Sequence, residues 1–306
     1  MEIKQINIKE DMKISDLITE FENSGVLGAG RISKACNILA DMLNDEDMNI
    51  FMSAAGPLVP GGLRNVISSM IKNNQISLLI TSGANITHDL LEAFGGRHYK
   101  NFNHDDEELN SQGLGRIEDV LTKSEDFEVF EEEITKIFKE ISKKHTTISI
   151  QELLYEVGLL IKDEDSILYN ASKNNIPIFA PGLIDSMFGL QLWMFTQDNE
   201  FVVDAVKDMH FLSDIVFNCK KVGGIFLGGG LPKHYALASN ILKGGIDSGI
   251  QITMDRPESG SLSGAPLKEA KSWSKAKCGS SLETVIGDVT ILFPLILAGA
   301  LNKVKK

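Results

Sequence analysis

Val222-Gly223-Gly224-Ile225-Phe226-Leu227 runs directly into Gly228-Gly229-Gly230-Leu231-Pro232-Lys233-His234. An unbroken apolar and glycine run reads as a strand buried on both faces, the glycines as a sharp turn, and the residues after them as a helix start. Working outward, similar runs recur at Asn49 to Ala54, Ile76 to Thr81, Ile176 to Ala180, Gly249 to Met254 and Glu283 to Ile286, with helical patterns in most intervals. Such alternation implies a doubly wound α/β fold, with a mostly parallel, Rossmann-like sheet and helices on both faces. Ligands of such folds bind at the carboxyl ends of the strands. Those ends carry Thr81-Ser82-Gly83-Ala84-Asn85, Gly182-Leu183-Ile184-Asp185, Gly228-Gly229-Gly230 and Gly287-Asp288.

Residues 1–48 read as a helical N-terminal extension, with Lys13 to Phe21 and Ser33 to Leu43 periodic and Gly25 to Gly30 between them. Residues 94–133 read as an acidic, irregular insertion, including His104-Asp105-Asp106-Glu107-Glu108, whose charges are solvated faces rather than a metal site. The 306 residues, 43% hydrophobic with 8 prolines, are expected to form a single domain. A net charge of −12 argues against nucleic acid and suits a cationic partner such as a polyamine or a basic protein loop. Val289 to Leu301 contains Pro294 and is too short to span a bilayer, and the N-terminus has no signal-peptide core, so a cytoplasmic protein is expected. Cys36, Cys219 and Cys278 fit neither a disulfide framework nor a zinc module.

Two readings of the Gly228–Gly230 turn stand: a tight structural turn, or a cradle in which backbone approaches a phosphate or ribose. Neither it nor Gly28-Ala29-Gly30-Arg31 is a GxGxxG fingerprint. Thr81 to Asp89 is a helix start capped by Thr87 or Asn85, a ligand contact, or both. Gly260 to Lys275 ends in a lysine beside a tryptophan. Ser263 or Gly264 can cap a helix there and Pro266 fits its first turn. The step of about 100° per residue puts Lys268, Lys271 and Lys275 along one side. Such a face is either solvated or a cluster favouring a neutral, nucleophilic amine.

This segment resembles the active-site motif of the deoxyhypusine synthase family in its archaeal-type wording, through Arg256-Pro257-Glu258, Leu262 to Leu267, Glu269-Ala270 and Ser272-Trp273-Ser274-Lys275. The glycine turn followed by Lys233-His234, and Thr81-Ser82-Gly83, match further segments. The resemblance implies NAD-dependent transfer of the aminobutyl group of spermidine, through an imine on an enzyme lysine, to a lysine of translation initiation factor 5A. It implies Lys275 as the covalent lysine, His234 as proton acceptor, and Trp273, Glu269 and Asp185 at the polyamine. It further implies Thr81, Ser82, Gly83, Gly228, Gly229, Gly230 and Asp288 at NAD, no metal, and a homotetramer built from tight dimers. Trp273 as core packing, Glu269 as a helix pair and the aspartates as caps stand as the plainer readings.

The chain departs from the family pattern at Gly115-Arg116-Ile117-Glu118, where Asn-Arg-Ile-Gly is usual, at Leu190 and Leu262, where eukaryotic enzymes have polyamine-binding aspartates, and at Ser259 and Ser274, the latter replacing a glycine. These departures keep two alternatives in view: homospermidine synthase-like transfer to a free diamine, and a non-catalytic homologue that binds NAD or polyamine.

Overall fold

The computed structural model describes residues 2–102 and 105–305; Met1, Asn103, Lys306 and His104 of the acidic run lie outside the described residues. The chain divides into two compact units. One comprises Met1–Ala55, Gln75–Ile80 and Phe211–Lys306, the other Gly56–Asn74 and Thr81–His210.

The first unit is built on strands β1 (Met48–Ala54), β2 (Leu78–Thr81, its last residue counted in the second unit), β3 (Lys221–Leu227), β4 (Ile246–Thr253) and β5 (Ala276–Ile286). They run in the order β5-β4-β3-β1-β2, and β1–β3, β3–β4 and β4–β5 pair in parallel. Its helices include α1 (Ile14–Ser24), α2 (Leu27–Asn44), α3 (Gly230–Ser239) and α4 (Val289–Leu301). A Cβ at Gly223 would meet Met42 Sδ of α2 at 2.5 Å, whereas one at Gly249, the register partner of Gly224, would meet Leu267 Cδ2 at 3.2 Å. Successive strand residues point to opposite faces, so α2 and the segment around Leu267 cover opposite sides of the sheet. This is why the strands read as continuous apolar runs: Ile225, Leu227, Ile250 and Ile252 are fully buried, each worth about 1.5–3 kcal/mol of transfer free energy.

Within residues 1–48, α1 and α2 form a packed layer of this unit, whereas residues 2–13 are non-helical and largely exposed. α2 lies against β4, β5 and α4, and α1 lies against α2. The break between α1 and α2 is shorter than the glycines suggested. Gly25 ends α1 with φ 67°, and Gly28 and Gly30 fall inside α2.

In the second unit, residues 94–133 are more regular than their composition suggested. Tyr99–Lys100, Val120–Lys123 and Leu114–Ile117 form an antiparallel sheet, and helix Asp106–Ser111 precedes it in part. Arg116 reaches both carboxylate oxygens of Asp106, at 2.7 and 2.8 Å. Pairing and a hairpin thus organise a stretch whose polarity mimics a loop. The Ile176 to Ala180 run contributes a strand only at Ile178–Phe179. Deeper in this unit, Asp89 is fully buried and accepts from Arg64 Nε at 2.7 Å, Ser166 Oγ at 2.8 Å, and the Ile167 and Leu168 amides at 2.9 and 3.0 Å. It therefore neutralises Arg64 and caps helix Ile167–Lys173 at once. Among the described residues no helix is long and apolar enough to cross a membrane.

Candidate active site

β1 has β2 on one side and β3 on the other, so the winding reverses between β1 and β3. At that switch point the Ala55 amide donates to Leu227 O at 2.9 Å, and a Cβ at Gly228 would lie 2.9 Å from Ala55 O. A crevice at such a point is where α/β folds take ligands. Gly228 and Gly230 have φ of 75° and 61°, conformations that L side chains rarely adopt, and together they turn β3 into α3. Ser53 Oγ, two residues before Ala55, is buried and has no hydrogen-bond partner among the described residues.

Gly229 is constrained by the protein itself. A Cβ there would meet Ser263 Cα at 2.4 Å. The Gly230 amide donates to Ser263 Oγ at 2.8 Å, so this helix-terminal donor is already engaged. Bulk at Gly229 would displace the Ser263 segment before it met any ligand.

Beside this turn lies a cleft of about 350 Å³ that brings His234, Glu269, Trp273 and Lys275 together, with Leu262 and Pro266 among its apolar walls. The helix expected to carry the lysines is instead a 3-10 helix, Leu267–Trp273, with Pro266 at its N-cap; Ser263 and Gly264 do not cap it. Its length is set by long-range ties. The Leu267 amide donates to Thr284 Oγ1 of β5 at 2.8 Å, and the chain must re-enter the sheet at Ala276. Ser274 makes the exit in the left-handed region at φ 55°, and the Lys275 amide closes the turn on Ala270 O at 2.9 Å. The three lysines consequently do not share a face. Lys268 is exposed, and Lys271 Nζ donates to Cys278 O and Ser280 O at 3.0 and 3.2 Å. Lys275 Nζ sits 5.6 Å from the Trp273 ring centroid, a cation–π contact, and the indole is exposed rather than core. Burial, and then the charge of Lys275, hold the His234 imidazole below its ordinary pKa.

Asp288 lies at the end of β5, where its Oδ1 caps α4 by accepting from the Thr290 amide and hydroxyl at 2.7 and 2.8 Å. Thr81, Ser82, Gly83 and Asp185 belong to the second unit. There Ser82, not Thr87 or Asn85, caps the helix Gly83–Ala93, accepting from the Asn85 amide at 3.3 Å. Asn85 instead donates its Nδ2 to Thr81 Oγ1 at 3.2 Å, and Thr87 Oγ1 donates to Gly83 O at 3.0 Å. A Cβ at Gly83 would lie 2.5 Å from Ser186 Oγ, beside the exposed Asp185.

Sequence reasoning passed over Lys233, which is 1% exposed and lines the same cleft. Burial pushes its ammonium down to about 8, Glu269 opposes the shift and Lys275 adds to it. The signal was available: Lys233 stands on the face of α3 shared by the buried Ala236 and Leu237.

The fold and this cleft define a doubly wound α/β protein with a glycine turn at its switch point and an amine-bearing pocket beside it. A family model described as deoxyhypusine synthase matches residues 16–300. The chain belongs to the deoxyhypusine synthase family of transferases. A "Probable deoxyhypusine synthase" of Methanothermobacter thermautotrophicus is 59% identical over 303 residues, covering 99% of both chains. One of the same name from Methanopyrus kandleri is 40% identical over 303 residues, again 99% of both. A solved Entamoeba histolytica structure, described as a candidate deoxyhypusine synthase, matches with a TM-score of 0.71 over 99% of this chain and 98% of its own. Its 19% identity makes it a likeness of fold.

Proposed function

We propose that the chain transfers the 4-aminobutyl group of spermidine, through an imine on Lys275, to a lysine of translation initiation factor 5A, forming deoxyhypusine. The observation that carries the reading is the shared cleft of Lys275, His234, Glu269 and Trp273 in a chain of this family. NAD, when bound, supplies a reversible hydride acceptor for the carbon beside the secondary amine. Gly228, Gly229, Gly230 and Asp288 are the residues of the first unit that would hold it. The Ser53 hydroxyl, buried without a partner among the described residues, and the left-handed turn suit a polar dinucleotide at the carboxyl ends of the strands.

The chain's own groups divide the remaining work. His234, kept neutral at ordinary pH by burial and by Lys275, can accept a proton from a substrate amine. The Glu269 carboxylate offers a cationic amine its counter-charge, and the Trp273 face flanks the nucleophile. Lys275 Nζ, once deprotonated, forms the bond to the four-carbon unit as 1,3-diaminopropane leaves, and holds it as an imine until the acceptor amine displaces it.

A homotetramer of tight dimers completes the reading. Ile184, Met187, Leu190, Trp193 and Met194 leave an apolar face exposed on and just before helix Met187–Asp198, Trp193 being 57% exposed. Placement in the cytoplasm follows from the acceptor. The test is incubation with spermidine, NAD and factor 5A, followed by mass spectrometry and borohydride trapping. An aminobutyl group on factor 5A and a trapped four-carbon amine on Lys275 support the reading. Transfer to putrescine alone selects a homospermidine-forming enzyme, and no trapped adduct with intact NAD binding selects a non-catalytic homologue.

A further inference from the structure

We propose that Lys233 is a positioning residue whose ammonium clamps the Leu262–Ala265 segment across the Gly229–Gly230 turn, giving the cleft one wall and the turn its shape. Lys233 Nζ donates to Leu262 O at 2.8 Å, Ala265 O at 2.7 Å and Gln251 Oε1 at 3.2 Å. Gln251, fully buried on β4, in turn donates its Nε2 to Ser263 O at 2.9 Å. Carbonyls of three residues in one short irregular segment are thus satisfied by two buried side chains rather than by a backbone ladder. The clamped segment then acts on the turn. Ser263 Oγ takes the Gly230 amide, and Ser263 packs so closely over Gly229 that no side chain fits there.

An ammonium is the group this geometry requires. It presents three donors to three acceptors, whereas a neutral amine has two hydrogens and its lone pair would face a carbonyl. Full engagement also separates Lys233 from Lys275, since a nitrogen with every N–H committed has no lone pair for covalent chemistry. The clamp releases when Lys233 loses its proton. The titratable groups facing it are Glu269 on the 3-10 helix, Lys275 just beyond it, and His234 on its own helix; β4 presents the uncharged Gln251 and the clamped segment presents carbonyls.

The test is hydrogen–deuterium exchange on the full chain, corrected for intrinsic rates, with kinetics as a second arm. In the wild type, protection of residues 261–265 and of Gly230 should fall in one step as pH rises through about 8. In Lys233→Met the same residues should exchange at least about tenfold faster at pH 7 and show no step, the loss expected for a charge-assisted hydrogen bond. Ser263→Ala should release Gly230 and leave 261–265 protected. Wild-type protection in Lys233→Met, or a wild-type segment with no alkaline step, overturns the proposal. If Lys233→Met fails to fold, the wild-type pH series decides alone. The kinetic arm rests on the proposed function: Lys233→Met should raise KM for the amine about tenfold with a smaller loss in kcat. An equal loss in kcat and kcat/KM would make Lys233 part of the chemistry and overturn the positioning role. A wild type without turnover refutes the proposed function while the exchange result stands by itself.

Discussion

Two buried charge centres, one in each unit, are compensated in opposite ways. In the second unit Asp89 and Arg64 neutralise each other, Arg64 Nη2 adds Asp163 at 2.7 Å, and the remaining Asp89 acceptors are filled by a helix N-terminus. In the first unit Lys233 meets only neutral acceptors, and Glu269 acts on it without a direct bond. A compensated pair is architecture, because removing Arg64 leaves Asp89 a bare buried charge and removing Asp89 leaves buried donors without an acceptor. A charge satisfied by dipoles alone stays close to titration, and this one lies beside the lysine of the candidate chemistry.

The contrast can be broken at several points. The largest expected effect is at Lys275: Lys275→Arg keeps the charge but should lower transfer on the order of a thousandfold or more, read by mass spectrometry of the acceptor. Lys268→Arg and Lys271→Arg should retain activity, since neither nitrogen reaches the cleft. Next, Asp89→Ala should lower stability by roughly 3–5 kcal/mol in urea melts, by taking the buried counter-charge from Arg64 Nε and the acceptor from Ser166 and the Ile167 and Leu168 amides. A loss under about 1 kcal/mol would remove the distinction drawn between the two centres.

Lys233 should show the reverse behaviour. Its folded pKa of about 8 lies below the ordinary value of 10.5, so between those limits the unfolded chain binds more protons and stability rises with pH. Compared with Lys233→Met, the wild type should gain up to roughly 3 kcal/mol across this window, and no such gain below pH 8. The difference between the two melts isolates the group. A parallel pair of curves would mean that Lys233 is not a lone buried cation. The smallest effect concerns Ser274, held at φ 55°: Ser274→Gly should stabilise by up to about 1 kcal/mol in thermal melts, with transfer retained. Glu118, at φ 52° where the family pattern has glycine, should respond alike.

The sequence by itself determined the class of fold and the family. Strands buried on both faces must be written as apolar runs, and β1, β3 and β4 start and stop within a few residues of those runs. The sixteen residues ending at Lys275 carried the resemblance because their chemistry is local in the chain. Tertiary structure alone decided which groups act together. Residues 266–275 carry every cue of an α-helix, yet Thr284 and the return to β5 shorten it to a 3-10 turn and pull Lys271 away from Lys275. Ser263 looked like a helix cap and became the lid on Gly229, and Asp288, Ser82 and Asp89 resolved into caps only once their amide partners were present. Lys233 is the clearest case. Its burial and its acceptors come from residues 18 to 32 positions away, a distance at which no pattern along the chain reports who satisfies whom.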